Sequence, residues 1–243
     1  MKQNTTFSQS CRVLARLLDY PHAEMRAALP ELYAVLCAEA ALSPARLDEL
    51  KALMAGLQQG DAYAVEARYV ESFDRGRATS LHMFEHVHGD SRDRGLALVD
   101  LVQTYEAGGM FFDGMSHCEG DEQTRDGPTF TRELPDYLPV VLEFASTQPC
   151  ATARAFLGEL AHILNTIHSA LLKRDDPYAA AVGAVLELAG EQPRAVQIVM
   201  DEPLDEAWAE PAAFDGCTSR GQSGPQPIHI VRKTTTLQEG GRA

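Results

Sequence analysis

Residues 151–173, ATARAFLGELAHILNTIHSALLK, set Phe156, Leu160, Ile163, Leu164, Ile167 and Leu171 along one side of a helix. The spacing i, i+4, i+7, i+8 is that of a buried apolar stripe, and it predicts one long helix over Ala151–Lys173. On both sides of this stretch the same period recurs, while the alternation of a half-buried strand is almost absent. Downstream, Tyr178–Ala189 reads as a helix ended by Gly190. Upstream, Pro135 and Pro139 frame the start of a helix that buries Tyr137, Val141, Leu142 and Phe144. The expectation is an all-α protein with a single helical-bundle domain over residues 1–190.

The N-terminal half carries capping signals. Thr5 or Thr6 caps a first helix with the stripe Leu14, Leu17 and Leu18, stopped by Pro21. A second helical segment runs from about His22 to Ala41 and is interrupted at Pro30. Ser43-Pro44 opens a helix to about Gln58. Asp61 caps another, carrying Val65, Tyr69 and Phe73 at i, i+4 and i+8. A short helix is expected near Thr79–Val87, ended by Gly89. A further helix starts after a cap at Asp90 or Ser91 and runs to about Ala107. Residues 113–129, polar and glycine-containing, read as a mobile loop. Residues 191–243 carry proline, glycine and an acidic island, Asp201–Glu210, without a sustained apolar period. They are expected to form a partly disordered tail.

A formal charge of −14 over 243 residues argues against a nucleic-acid partner and against adsorption to anionic lipid. It favours attraction to basic segments of a partner protein. No run approaches the roughly 18 apolar residues of a membrane span, so direct membrane insertion is not expected. Five cysteines without a Cys-x-x-Cys pair, and no signal-peptide core, indicate a reduced, cytoplasmic setting.

The chemistry is concentrated in residues 75–95, RGRATSLHMFEHVHGDSRDRG. On a helical wheel His82, Glu85 and His86 share one arc. Leu81, Met83, Phe84 and Val87 occupy the other, with His88 at the border. His82-x-x-Glu85-His86 matches the His-x-x-Glu-His pattern of inverted zinc peptidases, so a zinc-dependent hydrolase is the alternative reading. No downstream carboxylate announces itself as a third ligand. The structural reading is an ion-pair and capping network that locks a helix–helix joint. It joins Arg75, Arg77, Arg92 and Arg94 to Asp74, Glu85, Asp90 and Asp93, with tight turns at Gly76 and Gly89. Asp136 reads as a helix N-cap. There is no serine elbow, phosphate-binding loop or dinucleotide fingerprint, so neither catalytic residues nor a metal site are expected. Nothing identifies a pocket for a cofactor.

The run Tyr69–Arg77, continued through His82–Gly95, resembles the NarJ-type nitrate reductase assembly chaperones, also called the delta chain or molybdenum cofactor assembly chaperone. Glu133–Pro139, Asp201-Glu202-Pro203 and Gln226–Val231 are similar to the same family, and the likeness spans roughly residues 10–232. The resemblance implies an all-helical binding module that is not an enzyme. Its client would be the apo catalytic alpha subunit of respiratory nitrate reductase, including that subunit's N-terminal segment. The client would be held competent for molybdenum cofactor and iron–sulfur insertion while its docking to the membrane anchor is delayed. Molybdenum cofactor delivery proteins would be further partners, and the chaperone would not belong to the final enzyme. Asp74, Arg75, Arg77, His82, Glu85, His86, His88, Arg92, Asp93, Arg94, Asp136 and Tyr137 become candidate client-binding or family-signature positions. A hydrophobic groove with an acidic rim, receiving an amphipathic client helix, would suit that role.

Overall fold

Cys11, Leu14, Leu17 and Leu18, sealed from solvent, make the first helix the centre of the main core. The computed structural model describes residues 7–89, 91–111 and 133–196. In chain order the helices are α1 (Ser8–Leu17), α2 (Ala23–Glu39), α3 (Pro44–Gln59), α4 (Ala62–Phe73), α5 (Glu85–His88), α6 (Asp93–Ala107), α7 (Leu138–Thr147), α8 (Cys150–Glu159), α9 (Ala161–Lys173) and α10 (Ala179–Leu188). A 3-10 turn occupies Arg77–Thr79. Among the described residues every regular element is helical, and the all-α expectation holds. None of these helices is long and apolar enough to cross a membrane.

Helix α1 packs between α2 and α7, and α10 packs on α9 and α3. Ala181, Val182, Ala184, Val185 and Leu186 of α10 are all buried, the pattern of a helix covered on every side. A smaller cluster of Val102, Tyr105, Met110, Val140 and Phe144 attaches α6 to α7.

Local capping chemistry sets two starts as expected. Ser43 accepts the Arg46 N–H at 3.3 Å, and Asp61 accepts the Ala64 N–H at 3.1 Å. Helix α1 differs. Thr5 and Thr6 lie outside the described residues, and Phe7 stands at the N-cap without a side-chain bond. The Glu39 carboxylate, at the end of α2, accepts from the N–H groups of Gln9 (3.0 Å) and Ser10 (2.6 Å). An acid that suits its own helix end poorly thereby serves the positive end of another.

Two expectations are corrected. Helix α2 is not interrupted at Pro30 but runs through it. Pro30 is exposed, so its ring meets no core neighbour, while Met25, Leu29 and Leu36 anchor both halves in the core. The long helix over Ala151–Lys173 is two helices meeting at Leu160. There the Leu160 N–H closes a tight turn onto Leu157 O at 3.2 Å. The division lets α8 turn Phe156 onto Phe144, ring centroids 5.1 Å apart, while α9 aims Ile163, Leu164 and Ile167 at the main core.

Residues 191–196 carry no helix, yet Arg194 N–H donates to Asn165 Oδ1 (2.6 Å) and Val196 N–H to Ser169 Oγ (3.1 Å), both on α9. The expected loop over 113–129 and the acidic island Asp201–Glu210 lie outside the described residues.

Candidate functional site

The chain from Ser80 to Phe84 is not the helix expected over Thr79–Val87. His82 forms an isolated antiparallel bridge with Tyr137, and α5 is a single turn. Met83 N–H donates to Asp136 O and Leu138 N–H to Leu81 O, each at 2.9 Å. These long-range partners satisfy the backbone while burying Leu81 and Met83, so a local helix has nothing to add. The wheel's polar arc therefore does not exist as a face. Val87, expected to be buried, is 54% exposed.

Asp136 is the hub. It is fully buried and does not cap α7, whose N-cap position is held by Tyr137. Its Oδ2 accepts the Phe84 N–H at 3.1 Å and the Arg94 guanidinium at 3.3 Å, and its Oδ1 faces His82 Nδ1 at 3.4 Å. Arg94 also pairs with Glu85 at 3.0 Å. Burial pushes the Asp136 carboxyl upward, but His82, the Phe84 N–H and Arg94 together outweigh it and hold it below its ordinary value. His82 is raised, first by its hydrogen bond to Asp136, against burial and the opposing charge of Arg94. The result is a closed latch of His82, Glu85, Arg94 and Asp136, tying residues 82–94 to the start of α7.

The other expected site residues are dispersed. Asp74, Arg75 and Arg92 are exposed, and Asp90 lies outside the described residues. Asp93 donates its N–H to Ser91 Oγ at 3.2 Å, but the N-cap position of α6 is Arg92, without a side-chain bond, and not the expected Asp90 or Ser91. His88 meets Phe84 edge-on at 5.7 Å. Arg77 packs against Gly89, where an added Cβ would stand 3.2 Å from Nη1. Gly89 has φ 55° and ψ −130°, a backbone conformation open to glycine alone.

Tyr137 reaches a second set of bonds. Tyr69 donates to Leu18 O at 2.9 Å and lies 3.0 Å from the Tyr137 hydroxyl. With the Tyr69 proton committed to Leu18, Tyr137 is the donor. Burial pushes both phenols above their ordinary range. Buried Tyr105 donates to Pro135 O at 2.7 Å and so holds the same turn from α6. Sequence reasoning missed Tyr105. The available signal was the single aromatic residue of that helix, one with a polar tip, three positions after Val102.

The geometry removes the basis of the zinc-hydrolase reading. His82 is turned to Asp136, Glu85 to Arg94, and His86 Nε2 to Ser80 O at 2.8 Å. Among the described residues no three histidine, cysteine or acidic side chains are grouped to hold a metal.

A groove of about 910 Å³ opens between α1, α2 and α7. Val13, Leu32, Val35 and Val140 give it an apolar bed. Its charges have both signs, Arg12 and Arg16 beside Asp19, Glu133 and Glu143, so the rim is mixed rather than acidic. Burial raises Glu143 despite the two arginines. Of the expected site residues, only Tyr137 is among those lining the groove.

The family described as nitrate reductase delta subunit matches residues 21–183. The nitrate reductase molybdenum cofactor assembly chaperone NarJ of Escherichia coli K12 is 34% identical over 206 residues, 84% of this chain and 79% of that protein. The "probable nitrate reductase molybdenum cofactor assembly chaperone NarJ" of Bacillus subtilis 168 is 32% identical over 187 residues, 75% of this chain and 90% of the other. The nitrate reductase-like protein NarX of Mycobacterium tuberculosis H37Rv is 32% identical over 170 residues. That match covers 70% of this chain but only 22% of NarX, so the likeness there is to one part of a longer protein.

Proposed function

The chain belongs to the nitrate reductase delta subunit family, and from that premise we propose that it is a maturation chaperone for a nitrate reductase and not an enzyme. Its client is the apo alpha subunit, bound in the cytoplasm and including the N-terminal segment. The chaperone keeps the alpha subunit open for molybdenum cofactor and iron–sulfur insertion, delays membrane docking, and is absent from the final enzyme. Molybdenum cofactor delivery proteins are its further partners. Residues 1–190 carry this activity and residues 191–243 form an appendage.

The observation that carries the reading is the groove between α1, α2 and α7. Its volume lies near the top of the range for ligand sites, roughly 300–1,000 Å³, and suits a short amphipathic helix laid against Leu32 and Val35. The mixed rim gives a client helix partners of both signs and so fixes its direction. On this reading the latch around Asp136 is a frame that sets the rim through Tyr137, and its charges do not touch the client.

A fluorescent peptide copying the client's N-terminal segment tests the reading. Leu32→Asp with Val35→Asp places charge on the half-buried bed, and affinity is expected to fall at least tenfold, about 1.4 kcal/mol. An unchanged affinity in a variant with native circular dichroism refutes the groove assignment.

A further inference from the structure

A second, smaller cavity of about 300 Å³ shares no lining residue with the groove. Its floor is Met83 and Val141, both sealed from solvent, and its walls include the half-buried Phe84, Phe156 and Leu160. The fourth side is α6, which presents Ala97, Asp100, Leu101 and Thr104 at i, i+3, i+4 and i+7. That spacing makes one continuous helix face. Val102 and Tyr105 are the residues α6 buries fully; Leu101 packs partly against the same cluster and Ala97 is half-buried, while Asp100 and Thr104 of this face are exposed. Asp100 and Glu159 are exposed at the mouth, Asp93 lies one turn back on the same face of α6, and no basic residue is among the lining.

The latch builds this cavity. Asp136 holds Met83 through its carbonyl and Phe84 through its carboxylate, fixing floor and wall together. His82 and Arg94 of the charged stretch, closed on Asp136, thus help place two apolar side chains in a pocket.

We infer that this cavity is a second docking site, taking one bulky apolar side chain from a segment that carries lysine or arginine beside it. The volume sits at the bottom of the ligand-site range, roughly 300–1,000 Å³, which admits a side chain and not a helix. The acidic mouth, on a chain of net charge −14, selects a cationic flank and speeds its encounter. Because the lining residues do not overlap, substitutions at Asp100 and Glu159 test the cavity without touching the groove.

The probe is the synthetic peptide acetyl-KKFKK-amide, titrated at low salt into the full-length, 15N-labelled protein and followed by amide NMR. The expected shifts fall on Ala97, Leu101, Thr104 and Glu159. Acetyl-KKAKK-amide is expected to bind at least fivefold more weakly, and acetyl-EEFEE-amide not at all. Asp100→Asn with Glu159→Gln changes only exposed side chains and is expected to weaken the first peptide by roughly one-and-a-half- to fivefold per lost pair. Affinity for the client peptide at the groove stays unchanged in that variant. Equal binding of the alanine or acidic peptide, or shifts confined to the groove, overturns the proposal. Reversible self-association in sedimentation that the double variant abolishes assigns the cavity to a second copy, and likewise overturns it. Shifts of residues 197–243 caused by the double variant without peptide assign it to the chain's own C-terminus, with the same consequence.

Discussion

Replacing Asp136 with asparagine keeps the shape of the side chain and removes the charge on which the latch closes. The carboxylate accepts from the Phe84 N–H and from Arg94 and pairs with His82, with no exposure of its own. Breaking a buried pair by removing one partner costs about 3–5 kcal/mol. Here the stranded side chains are not sealed: Arg94 is 19% and His82 29% exposed, so water recovers part of the loss. That discount leaves about 2–3 kcal/mol. For a chain of this length each kcal/mol moves Tm by about 2–4 °C, so the expected fall is about 4–12 °C. Thermal unfolding by circular dichroism reads it, with urea titration as the check. The raised His82 stabilises fully below its unfolded value of 6.5, and that contribution is lost as pH rises through its higher native value. The lowered Asp136 stabilises above its unfolded value of 3.8, and that contribution is lost as pH falls through its lower native value. The gap between wild type and Asp136→Asn is therefore widest between these limits and narrows toward pH 8.5. A fall in Tm under about 2 °C at pH 6, or a gap that widens with alkali, refutes the latch.

Gly89→Ala forces a side chain into φ 55°, ψ −130° and sets its Cβ 3.2 Å from Arg77. A loss of about 1–3 kcal/mol is expected in urea unfolding, and a neutral result contradicts the packing of Arg77 on that turn. Pro30→Ala restores an amide to the exposed interior of the continuous helix α2 and should stabilise by about 1–2 kcal/mol. No gain indicates a break in α2 at that position. The Cys11 thiol, pushed up to about 12 by burial and then by Glu39, Glu143 and Cys150, should resist a thiol reagent at pH 8 while exposed Cys37 reacts. Equal native rates, read by mass spectrometry of the labelled peptides, count against the placement of α1.

What the sequence made legible was what it encodes locally. Ser43 and Asp61 bond to amides three residues ahead, so cap and helix start appear together in one short window. The all-α class followed from periodic stripes such as Val65, Tyr69 and Phe73, which the structure buries as a set. The misreadings share a different cause. The cap of α1 comes from Glu39, some thirty residues away. At the break at Leu160, Phe156 reaches Phe144 of the smaller cluster as well as the main core that Ile163 joins, contacts made far along the chain. His82, Glu85 and His86 fit a helical face only if residues 79–87 are a helix. The partner that takes His82 out of that helix, Asp136, is 54 residues further on. The stretch stood out in the sequence by its density of charge, but how it is held needed the bonds of Met83, Phe84 and Leu138.

The most direct test of the maturation role is the molybdenum content of the client. The nitrate reductase alpha subunit is produced with and without this chain, in cells deleted for their own chaperones of the family, and metal per purified subunit is measured by mass spectrometry. A near-stoichiometric content with the chain and a severalfold loss without it is the predicted result. Equal molybdenum in the two preparations contradicts the proposed function.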